Sequence, residues 1–277
     1  MSDRAFMFVI WSAAGLVTSA FLWLLGDLAW QGMTHLSWSF LVSAPMNAGR
    51  SGGIAPILVS TVLILAVALA AAIPLGLGAA VWLAEYTRRG SVLGHGVRLS
   101  LDVLAGVPSI VFGLFGNAFF CVFLGLGFSI LSGGLTLACM ILPIFIRTAE
   151  AGLSAVTDDW RHGAAALGMT RAAALWHILL PAAAPVIAVG LMLGIGRATA
   201  ETAALIFTSG YVDRMPESLS DSGRALAVHI YDLSMNVSGG DGAAYASALV
   251  LIVLIVIINI GALTLSDHWL TKRITAS

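Results

Sequence analysis

Charge is what this sequence has least of. Its 277 residues include 13 Lys plus Arg and 14 Asp plus Glu, so 10% are charged, against roughly 25% in a soluble domain. A chain this poor in charge cannot cover itself with polar groups in water. A net charge of −1 leaves no basic surplus and argues against a nucleic-acid partner. Cysteine is nearly absent as well. Cys121 and Cys139 lie in apolar runs, belong to no CxxC or Cys/His cluster, and read as small buried hydrophobes. There is no H-E-x-x-H, no P-loop and no Ser/His/Asp grouping that topology would bring together. His162 and His177 fall fifteen residues apart, and His35, His95, His229 and His268 are scattered. No catalytic site, metal or cofactor is therefore expected on this chain, and the missing P-loop excludes ATP binding by that motif.

What the chain does have is apolar length. Hydrophobic residues make up 59% of it, in runs that reach the ~20 residues needed to cross a bilayer as a helix. The runs are continuous and do not alternate with polar residues, which predicts helices and not a β-barrel. The expected fold class is all-α, a polytopic membrane protein of about six transmembrane helices in contact with lipid. The spans are predicted near 6–25, 54–84, 99–126, 133–149, 182–207 and 243–265. The first apolar run is longer than a signal peptide's and lacks a small-residue cleavage site, so it is expected to be retained. Pro74, Pro108 and Pro143 predict local kinks. Trp30, Trp38 and Phe40, between the first two spans, suit a membrane interface. Two units follow: residues 1–50, a first span and its outer connection, and residues 51–277, the main transmembrane domain.

Lys and Arg set the orientation. With the N-terminus inside, the inner ends hold Arg4, Arg88, Arg89, Arg98, Arg161, Arg171, Lys272 and Arg273. The outer side holds Arg50, Arg214 and Arg224. Eight against three places both termini in the cytoplasm.

The connection between the fourth and fifth spans, residues 158–181, differs in character. It reads His162-Gly163-Ala164-Ala165-Ala166-Leu167-Gly168, then nine residues, then Ile178-Leu179-Leu180-Pro181. Alanines favour helix. Gly168 can stop that helix with a left-handed backbone. A second short helix is expected from Thr170 to Leu179, ending before Pro181. The product is a helix–glycine–helix elbow on the cytoplasmic surface. The segment resembles the EAA-type signature of permeases of ATP-driven importers, E-A-A, three residues, Gly, nine residues, I-x-L-P. Gly168, Ile178, Leu180 and Pro181 match in register. The resemblance implies a type I importer permease fold in the bacterial inner membrane, with the elbow docked on a separate ATP-hydrolysing subunit. His162 and Gly163 stand where the family has Glu and Ala, which leaves shape and Arg161 to carry docking.

The span near 182–207 contains Gly196-Arg197-Ala198-Thr199-Ala200-Glu201-Thr202. A charge inside a bilayer costs ~2.5–3.5 kcal/mol on insertion scales, so two in one segment need a reason. On a continuous helix, their i, i+4 spacing puts Arg197 and Glu201 on one face, where they partly neutralise one another. That pair either locks helices together or lines a translocation path, where a guanidinium fork matches a tetrahedral oxyanion. Asp102, four residues after Arg98, is expected to pair with it at a helix end.

G-R-A-x-x-E-T is similar to the phosphate-specific transport permeases, as are Leu101–Leu114, the run from Gly134 through Pro143 to Glu150, and Gly52–Pro56. The likeness covers about residues 50–265, and within that system it favours the PstA type over the PstC type. It implies that Arg147, Arg197 and Glu201 serve anion passage. It also implies inorganic phosphate as substrate, a second permease of PstC type, two ATP-binding subunits of PstB type that use ATP-Mg, and a periplasmic phosphate-binding protein of PstS type. An importer for molybdate, sulfate or phosphonate is the alternative. An ion-coupled secondary transporter is a more distant one, for which no convincing inverted repeat is found.

Overall fold

The computed structural model describes residues 3–88 and 90–274; of the charges counted above, Arg89 lies outside them, as do the side chains of Lys272 and Arg273. Among the described residues, five helices are long and apolar enough to span a membrane: Phe6–His35, Ala55–Tyr86, Ile130–Ala155, Arg171–Thr199 and Asp241–Gly261. They lie within α1 (Asp3–His35), α3 (Ala55–Val81, continued by a π-turn Trp82–Tyr86), α6 (Ile130–Ala155), α8–α9 (Arg171–Ala174 and Leu180–Thr199, joined by a π-turn Leu175–Leu179) and α12 (Asp241–Ile274).

A sixth crossing is available only as a broken pair. α4 (Val92–Ala105) meets α5 (Ser109–Gly116, continued by a π-turn Asn117–Phe123) at 103°. The single span expected at 99–126 is thus two helices. Pro108 disfavours a helical Val107, and α4 closes on itself through Gly106 N–H to Val103 O at 3.1 Å and Val107 N–H to Leu104 O at 3.2 Å.

The centre of the bundle is α3, α6 and α9. Ile64, Ala68 and Ala72 pack with Leu137, Ile141, Phe145, Ile195 and Ala198. Burial from water does not drive helices together in lipid, so close van der Waals approach must. Small residues make it possible. A Cβ on Gly134 would stand 2.9 Å from the Ile64 carbonyl oxygen, and one on Gly76 would strike the Phe145 ring.

α1 runs about ten residues beyond its expected end. The extension is polar but helical because Gln31 Nε2 donates to Asp27 Oδ2 at 2.8 Å and Thr34 Oγ1 to Gln31 O at 2.6 Å. This helix meets the bundle near its C-terminal end, where a Cβ on Gly32 would lie 2.9 Å from Tyr245 O.

The connection between the fifth and sixth expected spans, residues 208–242, contains α11 (Leu226–Met235). Leu226, Val228, His229 and Leu233 are buried, and Leu226 N–H donates to Thr61 Oγ1 on α3 at 2.8 Å. Together with α2 (Trp38–Val42) and the ribbon β1 (Pro45–Met46)–β2 (Ser51–Gly52), α11 forms a cap on the face opposite the elbow.

Candidate functional site

Four charged residues join α4 to α6. Glu150 is buried and shares its two oxygens between two arginines: Arg98 Nε donates to Oε1, and Arg147 Nη1 to Oε2 at 3.0 Å. Arg147 Nε also donates to Asp102 Oδ1 at 2.9 Å. The expected pair Arg98–Asp102 therefore does not form. Each residue reaches across to α6, because the bend at Pro108 lays α4 alongside it. Arg147, expected in the anion path, has two carboxylates as partners and closes a tetrad of zero formal charge.

The elbow begins with α7 (Asp158–Ala166). Gly168 has φ of +73°, with Gly168 N–H bonded to Ala165 O at 3.0 Å and Met169 N–H to Ala164 O at 3.0 Å. That is the left-handed Schellman cap anticipated for this glycine. The second half differs from expectation. No separate helix ends before Pro181; the chain runs from Arg171 through the π-turn into α9 as one span. The proline lacks an N–H and its ring crowds the His177 carbonyl, and the π-turn takes up the misfit directly before it.

Motif residues accordingly face two ways. His162, Gly163, Leu167 and Gly168 are accessible, with Leu167 at 81% and the neighbouring Trp160 at 57%. Leu180 is buried with Leu153, Leu175 and Ala183, and Ile178 packs against them. Ala164 is buried and Pro181 half-buried.

Arg161, expected to help carry docking, is engaged within the chain and its side chain is 24% exposed. It turns inward and grips Glu85 at both oxygens, Nη2–Oε1 2.6 Å and Nε–Oε2 3.1 Å. It also donates to the C-terminal carbonyls of α6, Val156 O at 2.6 Å and Leu153 O at 3.0 Å. Helix ends leave such carbonyls short of partners; Leu153 O also accepts from the Val156 N–H at 3.3 Å. Sequence reading missed Glu85. The available signal was an acidic residue at the very end of an apolar span.

The fifth span was expected to continue to Phe207, but α9 ends at Thr199. Thr199 Oγ1 bonds back to Ile195 O at 2.7 Å, which competes with the helical ladder. Glu201 is buried beyond the break, and its Oε1 accepts from Ala204 N–H at 3.1 Å in the first turn of α10 (Ala203–Ile206). The i, i+4 pair of Arg197 and Glu201 is thereby undone: they lie on opposite sides of the break and share no ion pair. Arg197 is half-buried in the last turn of α9, where the helix dipole favours a cation, and it has no carboxylate partner among the described residues. Arg98, Arg147, Arg161 and Arg224 all do.

At the opposite cap, Arg224 bridges Asp232 at 3.3 Å and donates to Tyr211 O at 2.9 Å. His229 is fully buried, with Nδ1 3.5 Å from Arg224 Nη1 and no partner for Nε2 among the described residues. Burial, and then the Arg224 charge, push its pKa down to about 4. Between that value and the ordinary ~6.5, the unfolded chain binds a proton that the folded one refuses. Stability should be fully present above about pH 6.5 and fall by up to about 3 kcal/mol as pH drops to about 4. Melting temperatures of the detergent-solubilised protein across this window should show the fall, and His229→Gln should flatten it.

Residues 72–269 match the family described as binding-protein-dependent transport system inner membrane component. The chain is 29% identical over 285 residues to the probable ABC transporter permease protein YqgI of Bacillus subtilis, covering 95% of this chain and 94% of that one. It is 37% identical over 180 residues to the phosphate transport system permease protein PstA homolog of Mycoplasma pneumoniae, covering 63% of this chain but 28% of that longer protein. Among solved structures, a bacterial ABC transporter involved in the import of the acidic polysaccharide alginate superposes with a TM-score of 0.63 at 14% identity, over 96% of this chain and 99% of the other.

Proposed function

Because the chain belongs to the family of binding-protein-dependent transport system inner membrane components, we propose that it is the permease of an ATP-driven importer for inorganic phosphate. It is a transport subunit with the type I importer permease fold, and its helices span the membrane. In the proposed assembly, a second permease completes the path. Two ATP-binding subunits use ATP-Mg at the cytoplasmic elbow, and a periplasmic binding protein delivers phosphate at the α11 cap. Both termini then lie in the cytoplasm.

The observation that carries the substrate reading is Arg197. It is a half-buried arginine at a helix break, with no carboxylate among the described residues to neutralise it. A guanidinium so placed offers donors suited to a tetrahedral oxyanion. Glu201, fixed on the far side of the break, limits how tightly an anion is held. Likeness to the PstA homolog supports phosphate among the oxyanions. The same Arg197 chemistry would accept sulfate or molybdate, which makes another oxyanion the second reading.

Docking in this account rests on the accessible half of the elbow, His162–Gly168. A Cβ at Gly168 meets nothing within 4 Å; the φ of +73° strains any L residue by roughly 1–2 kcal/mol, and Asp is among those that adopt it most readily. Gly168→Asp is therefore expected to leave the fold intact while adding charge to the docking face. ATP-binding subunits should no longer co-purify with the variant, and phosphate uptake should fall at least roughly tenfold, the loss of about 1.4 kcal/mol of association. Normal uptake by this variant would refute docking through this face.

A further inference from the structure

The Arg161–Glu85 clamp and the α4–α6 tetrad meet at one element. The π-turn Trp82–Tyr86 ends α3 and carries Glu85, the partner of Arg161 on the elbow helix α7. It also carries the Leu83 carbonyl, which accepts from Arg98 Nη2 at 3.1 Å. Arg98 in turn holds Glu150, Glu150 holds Arg147, and Arg147 holds Asp102. A continuous line of polar contacts thus leads from the elbow, through the π-turn, to the helix bent 103° from its neighbour at Pro108. Both joints are shielded: Glu85 and Arg161 side chains are 16% and 24% exposed, and that of Glu150 is 7% exposed.

A π-turn has one residue more per turn than an α-helix and marks functional sites often. Thr87 Oγ1 closes this one by donating to Trp82 O at 2.9 Å. Beside it is a cavity of about 320 Å³, lined by Glu85, Tyr86, Arg161, Met169, Arg171 and Leu175 among others. The elbow therefore has room to shift against the turn, and the bidentate clamp obliges Glu85 to follow. α4 also has somewhere to go. Its outward face is exposed, and it is held to the bundle through Leu101 and Val97 against Leu83, Ile146 and Ala149 as well as through Arg98.

We propose that Glu85, Arg161 and Arg98 are positioning residues that carry movement of the elbow to α4 by way of the π-turn Trp82–Tyr86. This rests on the reading of the elbow as the ATPase docking site, and not on the identity of the transported anion. Arg161 converts a push on α7 into a pull on Glu85. Arg98 passes displacement of the turn to α4, which swings at Gly106–Pro108 and opens or closes the space beside α6. Arg147–Asp102 is the exposed contact that such a swing breaks first.

The test uses the complete importer with its partner subunits in liposomes, Cys121 and Cys139 replaced by alanine, and Ser100→Cys introduced on the exposed face of α4. The rate of maleimide labelling is read with and without ATP, beside uptake of radiolabelled phosphate. With otherwise unaltered coupling residues, ATP is expected to change the labelling rate roughly fivefold or more. Glu85→Gln and Arg98→Lys should each remove that response while the ATP-binding subunits still co-purify. Arg98→Lys is the cleaner variant. It keeps the charge opposite Glu150, loses the second donor to Leu83 O, and leaves the elbow untouched. It therefore decides the matter even where Glu85→Gln fails to assemble. A full ATP response in Arg98→Lys, or none with Arg98 in place, would overturn the proposal. Phosphate uptake with the same labelling response in the Arg98 parent and the Arg98→Lys variant defeats this inference alone, whereas the expected labelling pattern without phosphate uptake defeats only the phosphate reading.

Discussion

Replacing Arg197 with glutamine is expected to reduce phosphate uptake by roughly ten- to a hundredfold, the loss of a hydrogen-bonded charge of about 1.5–3 kcal/mol. Assembly and melting temperature should be preserved. The two halves of this expectation come from the same geometry. Arg197 has no ion pair to lose among the described residues, so its removal leaves no orphaned carboxylate behind. The neutralising influences that the described residues supply are the C-terminal dipole of α9 and Glu201 beyond the break, which is occupied with the Ala204 N–H. Uptake assays on proteoliposomes holding equal amounts of assembled complex would measure the effect. If Arg197→Gln carried phosphate at the original rate, the anion path would run elsewhere.

Glu150→Ala should behave in the opposite way, damaging the fold first. Both oxygens of this buried carboxylate are taken by arginines. Its removal leaves Arg98 with the Leu83 carbonyl alone and Arg147 with an Asp102 that is 55% exposed. The two arginines left behind are 30% and 39% exposed, so solvent takes up part of the uncompensated charge and the loss should be roughly 1.5–3 kcal/mol, below the cost of leaving a fully buried charge unpaired. Asp102→Ala, by contrast, should cost no more than about 1 kcal/mol, since solvent screens its ion pair. Thermal unfolding of the two variants in one detergent would distinguish them, and equal effects would contradict the tetrad's division into a buried anchor and an exposed arm.

The residues involved explain what was legible in the sequence. Continuous apolar runs gave the spans, since hydropathy over ~20 residues is a strong signal. Gly168 gave its own left-handed cap, because the requirement is local and only the backbone conformation matters. Partners over long sequence separations were not legible. Asp102 lies four residues from Arg98, so the local rule paired them; the bend at Pro108 instead turned both toward α6. Proline was read as a kink, and nothing in the local sequence distinguished Pro74, which α3 passes through, from Pro108, where the helix breaks. Arg197 and Glu201 failed for a related reason. Helical spacing implies a shared face only while the helix continues, and Thr199 and Glu201 supplied alternative bonds that ended it. α11 was hidden because ten residues are too few to register as a span. Only the packed structure shows that its apolar face closes over α3.

Passage of phosphate under the control of ATP at the elbow is the centre of the proposed mechanism. The most direct measurement is ATP-dependent accumulation of radiolabelled phosphate in liposomes containing this chain, its partner permease, the ATP-binding subunits and the binding protein, with sulfate and molybdate in parallel. Phosphate is predicted to accumulate only with ATP, and the other two anions are predicted not to accumulate. Accumulation of sulfate or molybdate in place of phosphate, or phosphate entry that continues without ATP, would contradict that mechanism.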